Sequence, residues 1–239
     1  RPVFQLTLAS GRKIKATAQH RFLHPDGWKE VKDFKPGERL AIARLLPEPL
    51  APRHIPDEQL LLLAHLMGDG SYLKGQPLRY TTASEQNSKA VTEAAVKAFG
   101  VRVNRHESKG NWHQLVFSGN GNRWHPAGIN LWLRDLGIFD QRSHEKHFPQ
   151  EIFRLSNVQA ALFLQHLWAT DGTIFTPKNG KRTSSRIVFS TNSRQLAEDV
   201  AQLLLRFEIV ARIREVNQGK HRPMFTTEIS GQTDQFVFL

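Results

Sequence analysis

The chain has 239 residues, with 33 Lys and Arg against 22 Asp and Glu, a formal charge of +11 and no cysteine. That length suits one large domain or a compact pair with a sizeable core, the charge suits a polyanionic partner, and the missing cysteines exclude disulfides, thiolate zinc sites and cysteine nucleophiles. No apolar run approaches the roughly 20 residues of a spanning helix, since the longest, residues 60–67, is interrupted by His65. A nucleic acid is therefore preferred to a membrane surface. The first residues, Arg1 to Phe4, lack a signal-peptide layout, so a cytoplasmic location, nucleoid-associated when bound to DNA, is expected.

Residues 1–44 read as short strands. Phe4, Leu6 and Leu8 alternate with polar neighbours, Ser10-Gly11 makes a turn, and the alternation resumes from Ile14 to Thr17. Further turns are signalled at Pro25-Asp26-Gly27 and Pro36-Gly37. Pro47, Pro49, Pro52 and Pro56 then mark a linker that cannot sustain a helix. The expected units are 1–50, a small β-rich segment with its linker; 51–153, a first subdomain with an insertion; and 154–239, a second subdomain.

Beyond residue 50 the chain repeats itself. An apolar helix from Asp57 to Met67 ends in Gly68-Asp69-Gly70, and another from Asn157 to Ala169 ends in Thr170-Asp171-Gly172. An extended run from Tyr80 to Ser84 is matched by Phe189 to Ser193, and each starts a helix with Ser84 or Ser193 as N-cap. The runs Leu115 to Gly119 and Thr227 to Gly231 close the two copies. Two α+β halves are expected. The first carries an insertion, 120–153, with a helix near Asn130 to Leu136 and a polar tail from Arg142 to Pro149.

An acid at the C-terminus of an apolar helix sits at the disfavoured end of the helix dipole, at a cost of a few tenths to about 1 kcal/mol. A lone Asp-Gly is usually a turn. Two in register within a repeat instead call for a shared cation, and hard oxygen ligands with open water positions suit Mg²⁺. Phosphodiester hydrolysis needs a metal, charge neutralisation and help for the leaving oxygen. Asp69 and Asp171 are the candidate metal carboxylates, joined by Gly68 and Thr170, and Lys146, Lys220 and Arg222 are candidate basic partners. Any one such lysine is more often a solvated surface residue. Eleven histidines raise a zinc reading on His65, His144, His147 and His166, which their spacing does not support, since no His-x-x-x-His or Cys pair supplies a third ligand.

The segments Leu62 to Gly70 and Leu164 to Gly172 resemble the two LAGLIDADG motifs of homing endonucleases. Asn130 to Ile138, with Arg142 to Lys146 and Pro149, resembles the inter-motif segment of intein-encoded members, particularly those in replicative helicase genes. The resemblance covers residues 57–239. It implies an α+β fold of two pseudosymmetric αββαββα-like halves meeting at their motif helices, with Asp69 and Asp171 binding Mg²⁺, or Mn²⁺ in its place. It also implies a basic catalytic residue at Lys146, with Lys220 the weaker match because Arg222 or Lys181 can substitute. The small residue that lets such helices approach is Ala64 in the first copy and His166 in the second, which puts the packing geometry in question. Thr17 to His20 resembles the Thr-x-x-His block of an intein splicing (Hint) domain, making Thr17 and His20 vestigial splicing residues. With Arg1 first, no cysteine and no terminal His-Asn, the chain as given is not expected to splice.

Basic and aromatic or polar residues alternate after each motif: Lys74, Arg79 and Tyr80 in one half, and Lys178, Lys181, Arg182, Arg186 and Arg222 in the other, with Tyr72 and Gln76 nearby. Strands with such faces enter a major groove, reading base edges and holding phosphates. The expected partner is double-stranded DNA, bound by a monomer at a long, partly palindromic site. The expected function is a metal-dependent endonuclease that cuts both strands and initiates intein mobility. The alternatives are a catalytically silent DNA-binding scaffold and part of a splicing intein.

Overall fold

Helix α1 (Asp57–Asp69) opens with Asp57 and Glu58 in its first turn, where the dipole favours acids. Leu60, Leu62, Leu63, Ala64, Leu66 and Met67 then bury surface on every side. A helix apolar all round belongs inside a protein. Its counterpart, α4 (Asn157–Asp171), is N-capped by Ser156, whose hydroxyl accepts from Gln159 N. The two helices pack against each other at the centre of the core. Gln159 fixes their start, accepting from Ile55 N at 3.2 Å. Both run two residues further than the sequence pattern indicates, so each aspartate is the last helical residue.

The computed structural model describes residues 2–122, 124–175 and 185–239. In the first half, β5 (Gly70–Ser71), β6 (Arg79–Thr82), β7 (Arg102–Glu107) and β8 (His113–Ser118) form an antiparallel sheet in the order β5-β6-β8-β7. In the second, β9 (Gly172–Phe175), β10 (Arg186–Thr191), β11 (Arg212–Val216) and β12 (Met224–Ile229) repeat that order. Helices α2 (Glu85–Phe99) and α5 (Arg194–Leu204) follow the second strand of each sheet. Ser84 and Ser193 cap them, accepting from Asn87 N and Leu196 N. The halves are thus the same α+β unit used twice. Short helices α3 (Gly128–Asp135) and α6 (Gln232–Phe238) close them.

Strand alternation corrects one expectation. Arg79 and Thr81 lie on the open face of β6, so Tyr80 points inward and is fully buried. Tyr72 is buried as well. Neither belongs to a DNA-facing surface.

The N-terminal segment forms two hairpins, β1 (Val3–Thr7) with β2 (Lys13–Thr17) and β3 (Arg21–His24) with β4 (Gly27–Glu30). The first hairpin's tip docks on edge strand β11: Ile213 N donates to Ser10 O at 2.7 Å, and Arg12 donates to Ala201 O on α5. Gly11, at φ +81°, has no room for a side chain, since a Cβ would lie 1.9 Å from Ile213 O. This contact covers an otherwise open sheet edge.

Candidate active site and nucleic-acid interface

The C-termini of α1 and α4 meet where Gly68 faces Thr170. A Cβ on Gly68 would lie 2.0 Å from Thr170 Oγ1, so glycine alone permits this approach. The tight spot is therefore at Gly68, while His166 sits beside His65 with ring centroids 5.5 Å apart. Gly70 and Gly172 turn each chain sharply into its sheet, pairing with Tyr80 and Phe189.

This crossing brings Asp69 and Asp171 together. Burial, helped by the charge of Asp171, raises the Asp69 carboxyl to about 6, while Lys146 pulls it the other way. Burial likewise raises Asp171, again opposed by Lys146. Two carboxylates sharing a partly dry site favour any arriving cation.

Lys146 is itself buried, at 5% exposure. Its ammonium donates to Gly68 O at 2.7 Å, Gly70 O at 2.9 Å and Leu66 O at 3.2 Å. It thereby caps the C-terminal end of α1, sharing Leu66 O with the Gly70 N–H, where the helix has no basic residue in its own last turn. Burial lowers Lys146 to about 8, against the pull of Asp171 and Asp69. Its backbone carbonyl accepts from the capping Ser193 hydroxyl at 2.6 Å, tying the inter-motif segment to the second half. On the other side, Ala169 O of α4 accepts from Asn87 Nδ2 at 2.9 Å, and Thr170 Oγ1 donates to Leu167 O. Lys220 and Arg222 are exposed on the turn between β11 and β12, outside this buried centre.

The faces of the two sheets turned away from the helices are polar. In the first, Arg79 pairs with Val116, Thr81 with Gln114, and Gln114 with His106, while Asn104 neighbours Val116. Lys74 is exposed in the loop between β5 and β6, its backbone fixed by Asp140 Oδ1. In the second, Arg186 and Arg214 both reach Glu228, at 3.4 and 3.2 Å. Lys178, Lys181 and Arg182 lie outside the described residues.

Residues 158–239 match the family model for a LAGLIDADG-like domain. Replicative DNA helicase DnaB of Rhodothermus marinus is 41% identical over 246 residues, covering 100% of this chain and 26% of the relative. The Synechocystis sp. DnaB helicase is 38% identical over 243 residues, covering 99% and 27%. Among solved structures, homing endonuclease I-WcaI bound to its DNA recognition sequence aligns with a TM-score of 0.53 at 15% identity, covering 76% of this chain and 78% of that one. I-DmoI in complex with DNA and Mn aligns at 0.50 and 16% identity, covering 76% and 93%. Residues 158–239 thus match a LAGLIDADG-like domain, and the chain has the LAGLIDADG fold. It spans about a quarter of the length of those two DnaB relatives.

In LAGLIDADG terms the two motif helices are α1 and α4, and each half contributes one acid and one sheet. Sequence reasoning missed Asn87, although its position one turn into a Ser-capped helix was visible, and Glu228, which alternation places beside Arg186 and Arg214. Thr17 and His20 lie at the bend between β2 and β3, where His20 N donates to Thr17 O at 3.0 Å and the His20 ring sits beside Phe22.

Proposed function

We propose that this chain is a site-specific homing endonuclease, hydrolysing both strands of a long, partly palindromic DNA site with a divalent metal at Asp69 and Asp171. The observation that carries this reading is the meeting of two helix C-termini that buries two carboxylates together. Their donor chemistry fits a hard divalent ion: carboxylate and carbonyl oxygens, with no third His, Asp or Glu to close the shell among the described residues. Asp69 and Asp171, with the Thr170 carbonyl and the lone pair of the Gly68 carbonyl that Lys146 leaves free, would hold Mg²⁺ or Mn²⁺, which when bound supplies charge stabilisation at the scissile phosphate and a more acidic water.

The protein's own groups do the rest. Lys146 offsets the paired negative charge and fixes the end of α1. The polar faces, with Arg79, Gln114 and Asn104 on one side and Arg186, Arg212 and Arg214 on the other, lie in the major groove of double-stranded DNA, one half per half-site. Lys74, Lys220 and Arg222, together with Lys178, Lys181 and Arg182, hold phosphates. Because one chain supplies both halves, a monomer suffices. We take 1–50 as a partial splicing segment carrying Thr17 and His20, joined to subdomains 51–153 and 154–239. The role is intein mobility within a replicative helicase, supported by the chain's match to about a quarter of the length of two such helicases.

The test is incubation of the purified protein with a randomised double-stranded DNA library and Mg²⁺, followed by sequencing of the cut ends. Double-strand breaks enriched at one site are expected. Tight binding of DNA without cutting in Mg²⁺ or Mn²⁺ would leave a silent LAGLIDADG scaffold.

A further inference from the structure

The two halves repeat each other in backbone but not in the polar groups beneath the acids. On α1, His65 Nδ1 lies 2.9 Å from the hydroxyl of Tyr80. His65 is 1% exposed and Tyr80 is fully buried, so this pair is screened from water. On α2, the Asn87 side-chain amide donates to Ala169 O in the last turn of α4 at 2.9 Å. Polar groups of the first half thus engage both motif helices, at His65 and at Ala169. The equivalent positions in the second half follow from register. Tyr80 faces Gly70 just as Phe189 faces Gly172, and Asn87 and Leu196 are both the residue whose N–H meets the capping serine. His65 and Leu167 each stand four residues before their aspartate. Against His65, Tyr80 and Asn87, the second half therefore places Leu167, Phe189 and Leu196, all buried and apolar.

We propose that Asn87, an amide that only the first half supplies, is a positioning residue for the Asp171 end of the cleavage centre, so that the two DNA strands are cut at unequal rates. The Asp69 helix end is held by the Lys146 ammonium, while the Asp171 helix end is held by this neutral amide. A charged hydrogen bond is roughly twice as strong as a neutral one, so the two acids are held with different firmness. Loss of the amide frees an orphan carbonyl next to Asp171 and leaves the Asp69 side unchanged.

This proposal rests on the nuclease reading, and two measurements keep the two separable. The first is strand-resolved cleavage of an end-labelled target by the whole chain, comparing Asn87→Ala, Asn87→Asp and Tyr80→Phe. Tyr80→Phe installs the residue the second half already carries at that position, so the fold is retained. Wild-type protein is expected to accumulate a nicked intermediate cut in one strand. Asn87→Ala and Asn87→Asp are each expected to slow one strand, the same in both, by roughly tenfold, the worth of one hydrogen bond, and the other by less than about threefold. Tyr80→Phe, which keeps the Asn87–Ala169 bond, should slow that same strand less. Equal slowing of both strands, or no nicked intermediate, would overturn the proposal. The second is amide hydrogen exchange without metal or DNA, in which the last turn of α4 should exchange faster in Asn87→Ala while that of α1 is unchanged. If the wild type cuts nothing, the nuclease reading fails and exchange alone decides the positioning role of Asn87. Unchanged α4 exchange would then overturn it.

Discussion

A carboxylate at the last turn of a buried helix faces both dehydration and the negative end of the dipole. Asp69 shows the result, its carboxyl raised from 3.8 to about 6 by burial and by Asp171. The folded protein therefore binds this proton more tightly than the unfolded chain does. Ionised Asp69 costs stability above about pH 6, and the cost vanishes as pH falls towards 3.8. Asp69→Asn is accordingly expected to stabilise the metal-free protein near pH 7.5 by roughly 1–2 kcal/mol, after allowance for solvent screening of a partly exposed group. The gain should shrink by pH 5. Denaturant unfolding at both pH values checks this, and a loss of stability at pH 7.5 would contradict it. The acids themselves were legible from the repeated Asp-Gly. The burial of Lys146 was not, because nothing local signals that a lysine in a polar run reaches three carbonyls some 76 to 80 residues earlier.

The two motif helices are the element on which everything else depends, and their closeness is decided at one residue pair. Gly68 admits Thr170 without a Cβ in the way. Gly68→Ala forces side chain into side chain, and overpacking of this kind costs about 1–3 kcal/mol. Adding Thr170→Gly should recover most of that loss, a coupling that a double-mutant cycle by thermal or urea unfolding measures directly. Additive losses would place the contact elsewhere. The apolar runs and the capping serines made α1, α2, α4 and α5 readable in advance, whereas the close approach was first assigned to Ala64 and His166. A nine-residue motif gives spacing along a helix, and only the crossing shows which residue meets which. The misreading of Tyr80 has a different cause. Alternation already required it to point inward if Arg79 points out, and the cluster of polar and aromatic letters obscured that.

At the scale of the whole molecule, the sequence repeat translated into two sheets of identical strand order on either side of one helix pair. What the repeat did not convey is how unlike the halves are inside: a lysine cap at one helix end, an amide cap at the other, and His65, Tyr80 and Asn87 matched by Leu167, Phe189 and Leu196. The outer faces also differ, since Glu228 engages two arginines of the second sheet. Such differences suit a target whose half-sites are related without being identical. The N-terminal hairpin adds a third body, fixed to the β11 edge by a backbone hydrogen bond that its short strands gave no means to foresee. The central claim is that Asp69 and Asp171 together form one metal-dependent centre for both strands. Its most direct test is cleavage of the selected target by Asp69→Asn and Asp171→Asn in Mg²⁺, with DNA binding measured in parallel in Ca²⁺. Either substitution alone is expected to abolish double-strand cutting while leaving binding within about threefold, since neither acid lies on the polar faces that grip the duplex. Full double-strand cleavage by either variant would contradict the account.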